Sequence, residues 1–190
     1  YNYEIICVDD CSSDGSRELL NRLFINKQII LKKNNSNNGQ SYCIKYGVEI
    51  ASFDTIVTID GDGQNDPKDI NKLAKAYFNS NKIKLVGGLR VKRKDNLFKI
   101  FSSKIANFVR SLILNDNCSD TGCGLKIFDK NIFKNLFFFN GIHRFLPALF
   151  KGLGHQTLFI EVNHRSRKTG QSKYGTIDRI FKGIIDIVRV

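Results

Sequence analysis

The chain has no methionine, no tryptophan and only two prolines in 190 residues. Its longest clearly apolar run, residues 136–139, falls far short of the roughly 20 residues that a membrane-spanning helix needs, which argues against a polytopic membrane protein. No basic-then-apolar leader opens the sequence. The five cysteines are odd in number and no two share the two-residue spacing of a zinc knuckle, so free thiols in a reducing cytosol are expected. The missing methionine, with Tyr1 leading straight into a strand, predicts a piece of a longer protein. Intrinsic disorder is excluded by what is present. Ile, Leu, Val and Phe are frequent, and 42% hydrophobic residues suffice for the core of one domain.

The formal charge of +12 is unevenly spread. Residues 1–79 hold 9 Lys+Arg against 11 Asp+Glu, and residues 80–190 hold 21 against 7. An acidic half joined to a basic half points to a metal or nucleotide site beside a surface that meets anions.

Along the first half, strands and helices alternate. Residues 3–9 read as a buried strand ending in carboxylates. A turn follows, in which Ser13 or Asp14 would cap a helix carrying Leu19, Leu20 and Leu23. A second strand is expected at 28–31, a helix near 40–51 and a third strand at 54–60. Pro67 would start a helix running to about Phe78, and a fourth strand would end at Gly87. This alternation predicts a doubly wound α/β sheet. Beyond Arg90, Leu97, Phe101, Ile105, Phe108 and Leu112 stand at helical spacing, with Lys99, Lys104 and Arg110 between them. Strands near 122–128 and 157–163 flank short helices. A last apolar stripe runs through 176–190.

Asp9-Asp10 and Asp60-Gly-Asp62 each follow an apolar strand, at the sheet edge where open α/β folds bind ligands. Carboxylates converging there repel one another unless a cation lies between them. Asp60, Asp62 and the carbonyl of Gln64 are hard oxygen donors suited to Mg2+ or Mn2+, and Gly61 and Gly63 leave room for a diphosphate. A plain polar turn after a strand also fits Asp-Gly-Asp-Gly; the matching Asp9-Asp10 pair favours a site.

These residues carry a family resemblance. The run from Ile5 to Ser16 resembles the nucleotide-binding segment of family 2 glycosyltransferases, and Asn37-Asn-Gly-Gln40 resembles the next block. The stretch from Thr58 to Pro67 is similar to the Asp-x-Asp metal motif of the polyprenyl-phosphate branch. The likeness continues through Gly87-Gly-Leu-Arg90 and Asp120-Thr-Gly-Cys-Gly124 to Arg167-Lys-Thr-Gly-Gln-Ser-Lys-Tyr174, so it covers nearly the whole chain in order. The family's opening strand has no counterpart here.

The resemblance implies a GT-A-type, Rossmann-like, mostly parallel sheet flanked by helices, as one catalytic domain over 1–175. It implies inverting transfer of one sugar from a UDP- or GDP-linked donor to a polyprenyl phosphate at the cytoplasmic membrane face. Asp10, supported by Asp9, and Asp60 would hold the nucleotide. Asp60, Asp62 and Gln64 would hold the metal and diphosphate. Arg90, Lys99, Ser103, Arg167, Ser172 and Lys173 would meet the acceptor phosphate. Asp62, Arg90 and Asp120 are the catalytic candidates, with Asp120 orienting the sugar or a helper cation, or simply capping a turn.

The helices at 97–114 and 176–190 read as core-facing by periodicity alone. Their flanking cations and the frequent Phe, including Phe137-Phe-Phe139, favour a membrane interface, with 176–190 as an amphipathic membrane-interface helix. Arg165, Lys168 and Lys92-Arg-Lys94 read as solvated charges or as general attraction to anionic lipid. The histidines 143, 155 and 164 lack metal-ligand spacing, and His164 reads as a surface residue. A homo-oligomer is allowed. Three rivals remain: a transferase with a soluble sugar or protein acceptor, a membrane-docking pseudoenzyme, and a basic nucleic-acid-binding module. The acidic first half and the lack of an RNA-binding aromatic motif count against the last.

Overall fold

A computed structural model describes residues 2–91 and 110–166. In chain order the described elements are β1 (Ile6–Asp9), α1 (Ser16–Ile25), β2 (Ile30–Lys33), α2 (Gln40–Ile50) and β3 (Thr55–Thr58). A 3-10 turn (Pro67–Asp69), α3 (Ile70–Phe78), β4 (Ile83–Val91), β5 (Lys126–Asp129) and α4 (Lys130–Lys134) follow. A second 3-10 turn (Ile142–Arg144), α5 (Leu146–Gly152) and β6 (Gln156–Asn163) complete the list. The chain divides into two compact units, Tyr1–Ile56 with Lys130–His143 and Val57–Asp129 with Arg144–Val190.

In the first unit β1 and β2 pair in parallel, from Ile6 opposite Ile30 to Asp9 opposite Lys33. That ladder carries the second strand two residues beyond the expected end at Leu31. Pairing, which a local pattern does not show, sets a strand's extent. Gly15, in the left-handed region, takes the N-cap position of α1 in place of the expected Ser13 or Asp14, and no side chain caps the helix; the Asp14 carboxylate accepts only the Ser16 N–H, at 3.2 Å. Ser41, at the start of α2, is fully buried. Its hydroxyl accepts the Gly141 N–H at 2.8 Å and lies 2.7 Å from His143 Nδ1, pinning α2 to the 139–143 turn.

The other sheet orders its strands β3-β5-β4-β6, with β4 parallel to β6 and antiparallel to β5. The α/β class stands, with its strands shared between sheets of two and four. Leu73, Ala74 and Tyr77 of α3 pack on Val86, Leu125, Ile127 and Val162 of the sheet side. Each large apolar side chain buried there contributes about 1.5–3 kcal/mol. On α5, Phe150 meets Phe128 of β5 edge-on, with ring centroids 6.1 Å apart. The fourth strand continues past the expected stop at Gly87 to Val91, because β6 supplies partners as far as Asn163. Gly88 fits inside the sheet through its size: a Cβ there would sit 2.9 Å from both the Cys123 sulfur and a Val162 methyl.

Arg110 departs from the expectation for residues 97–114. Instead of flanking an interfacial stripe, it is buried, paired with Asp116 and donating to the Cys118 carbonyl. A buried guanidinium needs such a partner set, and sequence spacing does not show where the partner lies. All five cysteines are free thiols. Burial raises Cys123 and pushes Cys118 up to about 11. Among the described residues no helix is long and apolar enough to cross a membrane. The segment 176–190 and most of 97–114 lie outside the described residues, as does the domain boundary expected at 175.

Candidate functional site

The first unit places both expected nucleotide-site carboxylates at the end of β1. Asp9 is buried, and Arg17 Nε donates to its Oδ2 at 2.7 Å while the Ser12 N–H donates to its Oδ1 at 3.1 Å. Burial alone would raise this carboxyl, but the donors from Ser12 and Arg17 outweigh it and hold Asp9 below the usual carboxylate range. Arg17 was not singled out from the sequence, yet it leaves a trace there. A cation in the first turn of a helix opposes the helix dipole and calls for a nearby anion.

Asp10 organises the loop that follows β2. Its Oδ1 accepts from Asn34 Nδ2 at 2.8 Å and from the Asn38 N–H at 2.9 Å, and its Oδ2 accepts the Gly39 N–H at 2.8 Å. These donors overcome burial and hold Asp10 below the ordinary carboxylate range. Gly39 has φ +86, a backbone region that favours glycine, so it can turn its N–H onto Asp10 and still open α2. Residues 34–39, between β2 and α2, are therefore the cradle of Asp10, which spacing alone does not reveal. Neighbouring Cys43 is pushed up to about 11 by burial and then by the Asp10 charge.

The second unit places the Asp-x-Asp segment beyond the end of β3. Thr58 Oγ1 donates to the Gly124 carbonyl at 2.8 Å. A Cβ on Gly124 would run into the Asp60 carboxylate. Asp62 Oδ1 accepts the Gln64 N–H at 3.0 Å, closing a tight turn in which Cβ atoms at Gly61 and Gly63 would meet nothing within 4 Å. The space expected around those glycines is open. Among the described residues no group of three or more His, Cys, Asp or Glu forms a ready metal cage. Two carboxylates on a half-exposed loop fit Mg2+ or Mn2+, ions that keep waters and phosphate oxygens as their remaining ligands.

Arg90 and Asp120, read separately from the sequence, are partners. Arg90 Nε and Nη2 donate to Oδ2 and Oδ1 of Asp120, both at 2.7 Å, and the Arg90 backbone N–H donates to Oδ2 at 3.1 Å. A Cβ on Gly122 would lie 2.8 Å from Arg90 Nη2. The two glycines of Asp120-Thr-Gly-Cys-Gly124 thus clear one site residue each, Gly122 for Arg90 and Gly124 for Asp60. Asp120 is more than a turn cap.

Two expectations near the end of β6 are corrected. His164 is buried rather than at the surface, because it bridges to Asn65. Arg165 is not a purely solvated charge, since its Nη2 lies 2.6 Å from Asp66 Oδ1. That guanidinium, with the Lys68 N–H, holds Asp66 below the usual carboxylate range. The acceptor-phosphate candidates Lys99, Ser103, Arg167, Ser172 and Lys173, with Lys168 and the 92–94 run, lie outside the described residues.

Comparison with known proteins bears on this arrangement. The family model for glycosyl transferase family 2 matches residues 1–137. The dodecaprenyl-phosphate galacturonate synthase of Rhizobium johnstonii is 34% identical over 197 residues, covering 100% of this chain and 57% of that protein. The undecaprenyl-phosphate 4-deoxy-4-formamido-L-arabinose transferase of Aeromonas hydrophila is 33% identical over 181 residues, covering 94% of this chain and 55% of that protein. The chain thus spans little more than half the length of the curated relatives it matches.

Among solved structures, glucosyl-3-phosphoglycerate synthase from Mycobacterium tuberculosis in complex with phosphoglyceric acid superposes with a TM-score of 0.74 at 14% identity. The match covers 98% of this chain and 69% of that one. The same synthase with Mn2+, UDP-glucose and phosphoglyceric acid gives 0.73 at 13% identity, over 97% and 68% of the two chains. At that identity the likeness speaks for the fold, which is of the GT-A type. With the family model matching most of its length and relatives about one-third identical across nearly all of it, the chain belongs to glycosyltransferase family 2.

Proposed function

We propose that the full-length protein transfers one sugar from a nucleotide sugar to a polyprenyl phosphate, with inversion at the anomeric carbon. The observation that carries this reading is the one-third identity, over 94–100% of the chain, to relatives named for transfer onto dodecaprenyl or undecaprenyl phosphate. The donor is a UDP- or GDP-sugar, and the reaction runs at the cytoplasmic membrane face. Residues 1–175 form the catalytic domain, and 176–190 lie along the membrane.

Asp10, braced by Asn34, Asn38 and Gly39, meets the base or ribose of the donor, with Asp9 supporting it. Asp60 and Asp62, with the carbonyl oxygen of Gln64, would hold Mg2+ or Mn2+ for the donor diphosphate. An ion bound there supplies charge neutralisation for the leaving nucleoside diphosphate. The acceptor is a phosphate monoester whose second pKa is about 6, so it is already substantially dianionic at neutral pH and needs no strong general base. One of its oxygens attacks the anomeric carbon as the bond to the diphosphate breaks. Catalysis is then positioning and charge stabilisation. Arg90 faces the incoming phosphate with its guanidinium plane fixed by Asp120. Lys99, Ser103, Arg167, Ser172 and Lys173 complete the phosphate grip.

The test is incubation of the full-length protein with polyprenyl phosphate, Mn2+ or Mg2+ and a panel of labelled UDP- and GDP-sugars. The expected result is metal-dependent passage of one label into the organic phase. Release of nucleotide with no extractable label would move the acceptor to a soluble molecule.

A further inference from the structure

The end of β6 is fastened to the Asp-x-Asp loop and the 3-10 turn after it at four points. The Asn163 N–H donates to Asp69 Oδ2 at 2.7 Å, and Asp69 is almost fully buried. His164 forms an isolated antiparallel bridge with Asn65. The Arg165 N–H donates to the Gln64 carbonyl at 2.9 Å. The Arg165 guanidinium reaches back to Asp66 at 2.6 Å. Asn65, inside this strap, also turns its Oδ1 to the Asp60 N–H at 3.4 Å and its Nδ2 to the Cys123 sulfur at 4.0 Å.

The free-standing Asp60-Gly-Asp-Gly63 segment would be a poor place to hold a cation. Two glycines give it freedom, and Cβ atoms there would touch nothing. Its conformation is fixed instead from Asn65 and Gln64, and those residues are held by 163–165. Partners outside the ligand set that orient the ligands typically change metal affinity by about 10- to 100-fold when removed.

We infer that Arg165 is a positioning residue for the divalent-cation pair Asp60 and Asp62: its backbone and guanidinium clamp Gln64 and Asp66, and so set the loop that carries both carboxylates. This rests on the proposed reading of Asp60 and Asp62 as the cation pair. Arg165 acts through the loop and touches neither donor nor ion. The guanidinium supplies the charge-assisted arm of the clamp, which substitution can remove while leaving the backbone arm in place.

The test is Mn2+ binding to the full-length protein, with Mn2+ alone as the probe and free ion read by electron paramagnetic resonance. Unsubstituted protein, Asp62→Asn, Arg165→Ala, Arg165→Lys and Asp66→Asn are compared, with thermal melting of each. Arg165→Ala and Asp66→Asn are expected to weaken Mn2+ binding by about tenfold, and Arg165→Lys to recover most of that loss. Lys84→Ala, which breaks a half-buried ion pair with Asp129 in the same unit, serves as the control and should leave binding unchanged. If Asp62→Asn abolishes Mn2+ binding while Arg165→Ala and Asp66→Asn leave it intact, the clamp is refuted and the cation pair stands. If Asp62→Asn leaves binding intact, the cation-pair reading falls and the clamp falls with it. Equal weakening in Lys84→Ala would reduce the effect to general destabilisation and overturn the inference.

Discussion

Arg90 and Asp120, thirty residues apart, form a two-point ion pair at 2.7 Å on each arm, with the Arg90 backbone N–H adding a third bond to the same carboxylate. Both side chains are largely buried, so the pair is little screened by water. Its geometry fixes the guanidinium plane as well as its charge, which a lysine cannot reproduce.

Substitution at either end should therefore disturb the same step. Arg90→Ala and Asp120→Ala are each expected to reduce sugar transfer by about 100-fold, the scale of a misplaced reacting group. The double variant should lose little more than either single one. Multiplying losses, measured as kcat/KM on the full-length protein, would mean that the two residues act independently.

Asp62→Asn should abolish transfer while leaving the fold intact. Asp62 lies on an open turn, away from the α3–sheet core. Circular dichroism and melting should match the unsubstituted protein. Full transfer activity in this variant would remove Asp62 from the site.

The buried Arg110–Asp116 pair gives a stability prediction with no catalytic component. Asp116→Ala leaves a guanidinium inside the protein without its counter-charge, at a cost of about 3–5 kcal/mol. Urea unfolding should report this directly. A loss under 1 kcal/mol would mean that Arg110 escapes to solvent.

Acid should loosen the first unit through Asp9 and Asp10. Both carboxyls sit below their ordinary range when folded, so their contribution is present above the unfolded value of about 3.9. It is lost as pH falls through the lower folded values. Asp9→Asn should lower stability at neutral pH and flatten the acid limb of a stability–pH curve. An acid limb of unchanged slope would assign the linkage to other carboxylates.

Thiol labelling should separate the cysteines by burial. Cys11 is exposed, whereas Cys118 and Cys123 are almost fully buried and burial raises both. At pH 7.5 or so, Cys11 is expected to react first and the buried pair only after unfolding. Mass spectrometry of partly labelled protein reads the order.

Much of this molecule is written locally. Apolar runs closing in carboxylates gave β1 and β3, Pro67 marked the helical turn ahead of α3, and Asp9, Asp10, Asp60 and Asp62 stood out as chemistry at strand ends. Such features depend on neighbours a few residues away, so a single sequence carries them, and the ordered motifs carry the family. Tertiary structure decided what each charge does. Arg90 meets Asp120, Arg17 meets Asp9, Arg110 is buried on Asp116, and Arg165 reaches back almost a hundred residues to Asp66. It also set strand extent, because β4 runs to Val91 only where β6 offers partners. The reason is common to all of these. A side chain's charge and a strand's hydrogen-bonding edge are fixed by composition, but their partners are chosen by how the chain packs.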